Sequence, residues 1–371
     1  MAGDTLTFFL GGDVMTGRGI DQVLAHPGDP RLWEPYVDDA RTYVQLAEQA
    51  NGPVPRPVDD TWPWGDALAV LDAAAPDLRL VNLETSVTRS DDVAVGKTVH
   101  YRMAPENVGC LTAARLDVCV LANNHVLDFG PRGLADTIAT LAGVGITTVG
   151  AGADQAAAER PAVLSPGGHR VVVASCGTYD SGIPASWAAT PGRGGVHLLR
   201  RLSPAAADRL ADQMGLPAAT GQVSVVSLHW GSNWGYEIPP EHVEFAHRLI
   251  DRGVDIIHGH SSHHPRPIEV YRDRLILYGC GDLINDYEGI RGYEEFRDDL
   301  RLVYLVSVDA ATGALVRLRM APVRARRLRL DHASPDDARF LRDTLARASA
   351  PFGTRVTLAA DGMLEVAPAA S

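Results

Sequence analysis

The sequence has few cysteines, no long apolar run and a deficit of basic residues, and each scarcity excludes a class of protein. The four cysteines (Cys110, Cys119, Cys176 and Cys280) show no C-x-x-C spacing, so we expect buried, reduced thiols and no disulfide framework. No segment approaches the roughly 20 apolar residues of a membrane helix. The amino terminus has no basic region before its short apolar run, so we predict a cytoplasmic protein without a membrane anchor.

Acidic residues outnumber basic ones by 46 to 34, which gives a formal net charge of −12. Because binding to nucleic-acid phosphates needs a basic surface, we expect no nucleic-acid partner. The densest basic stretch, residues 317–329 with six arginines, alternates with apolar residues. This alternation indicates a strand with one solvated face.

The chain shows no internal repeat and no low-complexity linker, so we expect one large domain. Residues 1–325 are predicted to form a catalytic domain, and residues 326–371 a C-terminal extension of helix and strand packed on it. A hydrophobic content of 46% is enough for a large core. The Gly150-Ala151-Gly152 segment lacks the third glycine of a dinucleotide-binding fingerprint, which argues against that function.

Five stretches of the chain end in side chains that suit metal binding or proton transfer, and in four of them these side chains follow a strand-like apolar run. The stretches are Leu6–Asp13, Leu78–Glu84, Val118–His125, Val223–Gly231 and Val254–His264. Loops at strand ends gather reactive groups at one edge of a sheet. Because carboxylate, amide and imidazole groups recur in this position, we predict a metal-dependent catalytic site.

The histidines of the fifth stretch form a cluster, with His258, His260, His263 and His264 within seven residues. Imidazole is the commonest metal ligand and transfers protons near neutral pH. By contrast, His242 and His247 lie on a predicted amphipathic helix and are expected to face solvent.

The order of these motifs resembles the CapA-like branch of the calcineurin-like metallophosphoesterases, a family named for poly-γ-glutamate capsule synthesis. The matching motifs are Gly-Asp-Val-Met at Asp13, Asn82-Leu83-Glu84, Asn123-Asn124-His125 with Asp128-Phe129-Gly130, His229-Trp230-Gly231, and Gly259-His260 with His263. The resemblance spans about residues 6–290 and implies an α/β fold of four layers, with two mixed β-sheets face to face and helices outside. It further implies that Asp13, Glu84, Asn124, His229, His260 and His263 surround a metal. By the same resemblance, His125 is the acid–base histidine and Asp128 orients it.

Several positions depart from the family pattern of a dinuclear phosphoesterase. Met15 stands where the first motif has a histidine, and Asn82-Leu83-Glu84 stands where a bridging aspartate is usual. Asp282 adds a carboxylate where the family has asparagine. The remaining oxygen-rich set suits one hard divalent cation, Ca²⁺, Mg²⁺ or Mn²⁺, with Zn²⁺ as the alternative through the histidines.

Three functions are compatible with these motifs: phosphoester hydrolysis, amide or peptide chemistry, and a catalytically inactive binding module. Within the second, the branch also resembles the metal-dependent epimerases that invert the C-terminal residue of lasso-peptide precursors. Such an inversion needs one group to remove a proton from the α-carbon and another to return it from the opposite face. We therefore predict a peptide epimerase, with a CapA-like hydrolase of amides or a phosphoesterase as alternatives. His125 with Asp128 would form one pair, and His263 or His264 with Asp282 or Asp286 the other.

The peptide substrate is expected to be held by aromatic and basic side chains. Residues 25–65 are predicted to be a long irregular lid, and Trp62 and Trp64 to contact the substrate from it, although these tryptophans could equally pin the loop in place. Further expected contacts are Trp230, Trp234 and His264, with Arg102 or Arg266 pairing with the terminal carboxylate.

Overall fold

The computed structural model describes residues 4–216 and 221–366, which form two large β-sheets, two two-stranded sheets and helices. The strands are β1 (Thr5–Val14), β2 (Leu78–Leu83), β3 (Ser86–Val87), β4 (Arg102–Met103), β5 (Val118–Val120), β6 (Thr147–Val149), β7 (Ala151–Gly152), β8 (Ala162–Leu164), β9 (Arg170–Thr178), β10 (Gly195–Val196), β11 (Leu198–Leu199), β12 (Gln222–His229), β13 (Ile256–His260), β14 (Ile268–Tyr271), β15 (Arg274–Leu277), β16 (Asp282–Ile284), β17 (Leu300–Asp309), β18 (Leu315–Ala325), β19 (Leu330–His332), β20 (Thr357–Leu358) and β21 (Leu364–Val366). The helices are α1 (Gly19–Val23), α2 (Arg41–Asn51), α3 (Ala67–Ala74), α4 (Gly109–Ala113), α5 (Gly130–Gly143), α6 (Gln155–Ala158), α7 (Pro204–Gln213), α8 (Pro240–Asp251) and α9 (Pro335–Ser349).

The larger sheet has the strand order β20-β21-β18-β17-β1-β2-β5-β6, with β16 and β19 at its side. Strands β1, β2, β5 and β6 run parallel, and β17 joins β1 antiparallel. Helix α9 follows β19 along the chain, and β21 extends this sheet by pairing with β18.

The smaller sheet has the order β11-β9-β12-β13-β15-β14, with β8 beside β9. Strands β9, β12 and β13 are parallel and buried on both faces. This burial explains why their sequences are nearly continuous apolar runs.

Alternating side chains of each strand enter different cores, as the period of two in a strand requires. Leu6, Phe8 and Leu10 of β1 pack between the sheets with Val223 and Val225 of β12. On the opposite face of β1, Phe9 packs with helices of the outer layer. The outer face of the smaller sheet packs in the same way against α7 and α8. This arrangement confirms the predicted four-layer fold.

Most local sequence predictions agree with the structure. The predicted helices near residues 131–142, 204–216, 240–252 and 334–348 correspond to α5, α7, α8 and α9, and Ser334 caps α9 through a capping box. Both predicted hairpins are present as β14–β15 and β17–β18. The four cysteines are buried and free. Within the described residues, no helix is long and apolar enough to cross a membrane.

Two local predictions were wrong. Residues 25–65 are not irregular throughout, because they contain the 11-residue helix α2. His242 does not face solvent: its side chain is buried, stacks on Trp230 and bonds Asp180 at 2.7 Å. His247 is half-buried against Tyr271 and bonds Glu269 at 2.8 Å. Both histidines therefore have partners within the protein.

Candidate functional site

Two imidazoles face each other at the ends of neighbouring strands of the smaller sheet. Parallel pairing of β12 with β13 places His229 directly opposite His260, and their Nδ1 atoms lie 2.9 Å apart. Both side chains are completely buried. Burial lowers the pKa of each well below its usual range, and nearby histidines lower it further. We therefore treat both rings as neutral.

A chain of hydrogen bonds determines which nitrogen of each ring carries the proton. His258 Nε2 donates to the carbonyl of Gly11 at 2.9 Å, so its Nδ1 accepts from the Ser227 hydroxyl at 3.0 Å. Ser227 in turn accepts from His260 Nε2 at 2.9 Å, which leaves His260 Nδ1 with a lone pair.

His229 likewise carries its proton on Nε2 and not on Nδ1. Its Nε2 donates to the Asn124 amide oxygen at 3.1 Å, so its Nδ1 also carries a lone pair. Two lone pairs at this distance repel each other unless a cation lies between them. Metal–nitrogen bonds of about 2.0–2.1 Å place neighbouring ligand atoms roughly 3 Å apart, so the pair has the spacing of two ligands on one ion.

Asp13 completes the group that could hold a metal. One ligand atom each from Asp13, His229 and His260 lie within 4.8 Å of one another, and Asp13 Oδ1 is 3.6 Å from His260 Nδ1. The bulge between Gly11 and Asp13 in β1 permits this placement. Gly12 is required there, since a Cβ on it would lie 1.7 Å from the carbonyl oxygen of Gly281.

Two further buried carboxylates, Glu84 and Asp282, lie near Asp13 and interact with it electrostatically. Burial and the nearby Asp282 carboxylate raise the pKa of Asp13 to about 7. Burial and Asp13 likewise raise the pKa of Glu84 well above its usual range. A divalent cation would compensate this charge, so the side chains present fit a bound metal.

The first acid–base pair, His125 with Asp128, lies beside Glu84. His125 Nδ1 bonds Asp128 Oδ2 at 2.7 Å, and Asp128 also accepts from the backbone N–H of Tyr101 at 2.7 Å. The Lys97 ammonium contacts Asp128 and lies 2.9 Å from His125 Nδ1. Burial and the Lys97 charge lower the pKa of His125 to about 4. His125 is therefore a neutral base near pH 7.

The second pair joins the two sheets. His263 Nδ1 bonds Asp282 Oδ1 at 2.9 Å, and Asp282 Oδ2 accepts from Asn285 at 2.6 Å. Asn285 in turn accepts from the buried Arg301 guanidinium at 3.0 Å. Burial lowers the pKa of His263, but the Asp282 carboxylate outweighs this effect and leaves that pKa raised. His263 is thus the better proton donor of the two histidines.

The structure separates the residues expected around the metal into two sets. Asp13, His229 and His260 converge on one point, whereas Asn124 contacts the far nitrogen of His229. Glu84 lies 3.8 Å from His125 Nε2, on the side of the first acid–base pair. His263 bonds Asp282 at 2.9 Å, whereas Asp286 bonds Arg18 at 3.1 Å.

The residues expected to contact substrate are mostly engaged within the protein. Trp64 is fully buried and donates to the carbonyl of Cys110 at 2.7 Å, while Trp62 donates to that of Arg327 at 3.1 Å. Trp230 is buried against His242 and donates to the carbonyl of Tyr278 at 2.9 Å. Through these bonds Trp62 and Trp64 hold the segment between residues 25 and 65 against the rest of the protein.

Neither arginine expected to bind a carboxylate is free in the described structure. Arg102 donates to the carbonyl of Ser90 and to Asp91, and Arg266 is buried and donates to Ser232. Trp234 and His264 remain beside the site: the half-buried Trp234 ring lies 5.3 Å from His263 and stacks on Tyr293 at 4.0 Å. His264 stacks on Phe296 at 4.6 Å.

Sequence reasoning missed Lys97, which reaches the site from the irregular segment after β3. A composition count could have found it, because Lys97 is the only lysine among 34 basic residues. Lysine and arginine are not interchangeable at such a contact. The single lysine of the chain contacts His125 and Asp128, so an ammonium group is specific to this site. Asn285 and Arg301, which hold Asp282, were also missed.

Comparisons with known proteins identify the family. Residues 7–287 match the family described as bacterial capsule synthesis protein PGA_cap, and the chain belongs to this family. It is 55% identical, over its whole length and 99% of the relative, to a probable polyglutamine synthesis accessory protein of Mycobacterium tuberculosis. It is 26% identical to the PGA biosynthesis protein CapA of Bacillus subtilis, with 81% of this chain and 68% of that one aligned. The capsule biosynthesis protein CapA of Bacillus anthracis is 23% identical over 81% of this chain and 64% of its own.

Proposed function

We propose that this member of the PGA_cap family is a metal-dependent enzyme that acts on a peptide of glutamate or glutamine residues by two-base proton transfer. The observation that carries the proposal is the presence of two His–Asp pairs, His125–Asp128 and His263–Asp282, in the same buried site as the Asp13–His229–His260 group. The choice of substrate rests on the names of the relatives.

Asp13, His229 and His260 would hold the metal. When bound, the ion supplies a Lewis acid that stabilises negative charge on a substrate carbonyl oxygen. Two imidazole nitrogens and one carboxylate suit zinc or manganese better than calcium or magnesium, because imidazole prefers transition metals. This donor set shifts our sequence-based expectation of a hard cation toward the transition metals.

One metal is proposed rather than two. The position of the usual first-motif histidine is occupied by Met15, whose sulfur lies 3.8 Å from the hydroxyl of Tyr287. Asn82 turns its NH₂ group toward Asp13 Oδ1 at 2.7 Å, so it acts as a donor there. A two-metal phosphoester mechanism needs ligands at these places, which argues against phosphatase activity.

The two histidines have complementary protonation states. Neutral His125 accepts a proton at Nε2 while its Nδ1–H donates to Asp128, and the Lys97 ammonium forms an ion pair with the same carboxylate. His263 donates a proton, with Asp282 stabilising its charged form. If His125 removes the α-proton and His263 returns a proton from the opposite face, the α-carbon is inverted. Peptide epimerisation is therefore the reaction we propose.

Hydrolysis of the same peptide is the second candidate. Glu84 Oε1 lies 3.8 Å from His125 Nε2, beyond direct hydrogen-bond distance, and in this candidate reaction both groups contact a water. With a water in that position, His125 would act as the base that activates it and His263 as the acid that protonates the leaving amine.

Incubation of the protein with oligoglutamate peptides in D₂O distinguishes these reactions. Epimerisation places deuterium at an inverted α-carbon without cleavage, which chiral chromatography and mass spectrometry detect. Cleaved peptide would favour hydrolysis, and release of phosphate from a phosphoester would favour the phosphatase. Lasso-type precursor peptides belong in the same assay. Full retention of activity by the Asp13→Asn variant would contradict a metal-dependent mechanism.

A further inference from the structure

A groove lined by arginines lies away from the metal group. Two adjoining clefts of about 440 and 310 Å³ share Gln155, Glu159, His197, Leu198 and Arg200 in their walls. Arg201 and Arg209 line the first cleft, and Arg193 lines the second. We call the surface defined by Arg193, Arg200, Arg201 and Arg209 the arginine groove.

The arginine groove has a net positive charge in a protein whose net charge is −12. All four arginines are exposed, and among the described residues no carboxylate lies within ion-pairing distance of them. The nearby acids of α7 are engaged elsewhere: Asp208 pairs with Arg248 at 2.8 Å and Asp212 with Arg252 at 2.7 Å. Four guanidinium groups therefore face solvent on one surface.

Glu159 is the carboxylate in the groove wall, and two amides already satisfy it. Its Oε1 accepts from Gln155 at 2.7 Å and its Oε2 from Gln213 at 2.9 Å. The negative charge of Glu159 lowers the net positive charge of the arginine groove but does not cancel the four arginines. The resulting moderate charge suits a chain of separated carboxylates better than a densely charged nucleic acid, which the acidic remainder of the protein also repels.

The groove is connected to the candidate site by one segment of chain. Several residues of the segment 185–201 line the groove, and the Trp187 ring of the same segment lies 5.2 Å from the Lys97 ammonium. Lys97 contacts His125 of the first acid–base pair. A polymer held in the groove would therefore lie along the segment that reaches the site.

We propose that the arginine groove binds an acidic polypeptide, pairing its carboxylates with Arg193, Arg200, Arg201 and Arg209, and so holds a long substrate beside the catalytic site. Guanidinium groups match carboxylates in shape and form paired hydrogen bonds with them. The identity of the bound peptide rests on the proposed function, whereas the groove itself rests on the arrangement of the arginines.

Fluorescence anisotropy with a labelled chain of five γ-linked glutamates tests this proposal. The same chain with its carboxylates amidated is the neutral probe, and a single-stranded DNA oligonucleotide is the alternative polyanion. The triple variant Arg200→Gln, Arg201→Gln, Arg209→Gln should weaken binding of the acidic peptide by about tenfold or more, since each exposed ion pair contributes modestly. The neutral probe should bind weakly to both proteins.

A second triple variant, Arg272→Gln, Arg317→Gln, Arg339→Gln, is the matched control. These three arginines are exposed and paired with acids elsewhere on the surface, so the change in net charge is identical. We expect less than a twofold effect on peptide binding. Equal loss in both triple variants, tighter binding of DNA than of peptide, or equal binding of the neutral probe would each overturn the proposal.

An Asp13→Asn variant separates failure of the groove from failure of the proposed function. This change lies in the metal group, so it should abolish turnover and leave peptide binding within twofold. Wild-type protein that binds the acidic peptide through the groove but never converts it would contradict the proposed function alone. Unchanged binding in the groove variant of an active enzyme would contradict the groove alone.

Discussion

The larger sheet supplies the carboxylate of the metal group, whereas the smaller sheet supplies its two imidazoles. Asp13 belongs to β1, while His229 and His260 belong to β12 and β13. Hydrogen bonds cross between the sheets at this edge, from His258 Nε2 to Gly11 at 2.9 Å and from the Ser261 N–H to Asp13 at 3.1 Å. The metal group therefore forms only when the two sheets are packed together.

The two acid–base pairs show the same contrast. His125 and Asp128 are three residues apart and follow one strand of the larger sheet. His263 and Asp282 are 19 residues apart, and His263 follows a strand of the smaller sheet while Asp282 lies in the larger one. The first pair is a local feature, and the second depends on tertiary packing.

The largest effect is expected from removing one metal ligand of either sheet. Asp13→Asn and His260→Ala should each lose the bound ion, of which we expect about one per chain, and lower kcat by roughly 10³-fold or more, since a metal contributes several kcal/mol to the transition state. Elemental analysis and turnover measure both. His247→Gln, on the half-buried His247 of α8, is the control. Retention of the ion by the Asp13→Asn variant would show that the two histidines of the smaller sheet suffice.

Replacing each acid–base histidine in turn tests the local His125–Asp128 pair separately from the His263–Asp282 pair, which depends on tertiary packing. His125→Ala and His263→Ala should each reduce net inversion by about 10²–10⁴-fold, yet differ in which enantiomer still exchanges its α-proton with D₂O. Each variant retains one base, so exchange of one enantiomer survives. Identical exchange patterns in the two variants, or inversion at the wild-type rate, would contradict the two-base assignment. A hydrolase would show slower cleavage in both variants without this asymmetry.

The contrast also explains what the sequence could and could not predict. The strands and the polar residues at their ends follow from local apolar runs, whereas the four-layer fold and the His125–Asp128 pair were expected only from the resemblance to the CapA-like family. Lys97 and Arg301 were missed because irregular segments and distant strands bring them to the site. His242 was misassigned although its spacing from Phe245 and Ala246 on α8 places it on the buried helix face.

A smaller effect is expected from removing the Ser227 hydroxyl, which orients the His260 imidazole. Ser227→Ala removes the acceptor of the His260 Nε2 proton and should weaken metal affinity by about 10–100-fold, the usual cost of losing such support. Competition with a chelator measures the affinity. Ser175→Ala is the matched control, because Ser175 lies opposite Ser227 on β9 and its buried hydroxyl has no partner among the described residues. Equal effects in both variants would contradict the orienting role.

The smallest effect on catalysis is expected from Trp64, which packs in the core on the outer side of the larger sheet. Trp64→Ala should lower the free energy of unfolding by about 3–5 kcal/mol, since the buried ring and its bond to Cys110 are lost, and should change KM less than twofold. Trp62→Ala, at a half-buried ring 5.2 Å from the Arg329 guanidinium, should destabilise less. Denaturant unfolding and steady-state kinetics measure both variants. A tenfold rise in KM with unchanged stability would instead show that this segment contacts the substrate, and the larger sheet would then contribute binding as well as the carboxylate of the metal group.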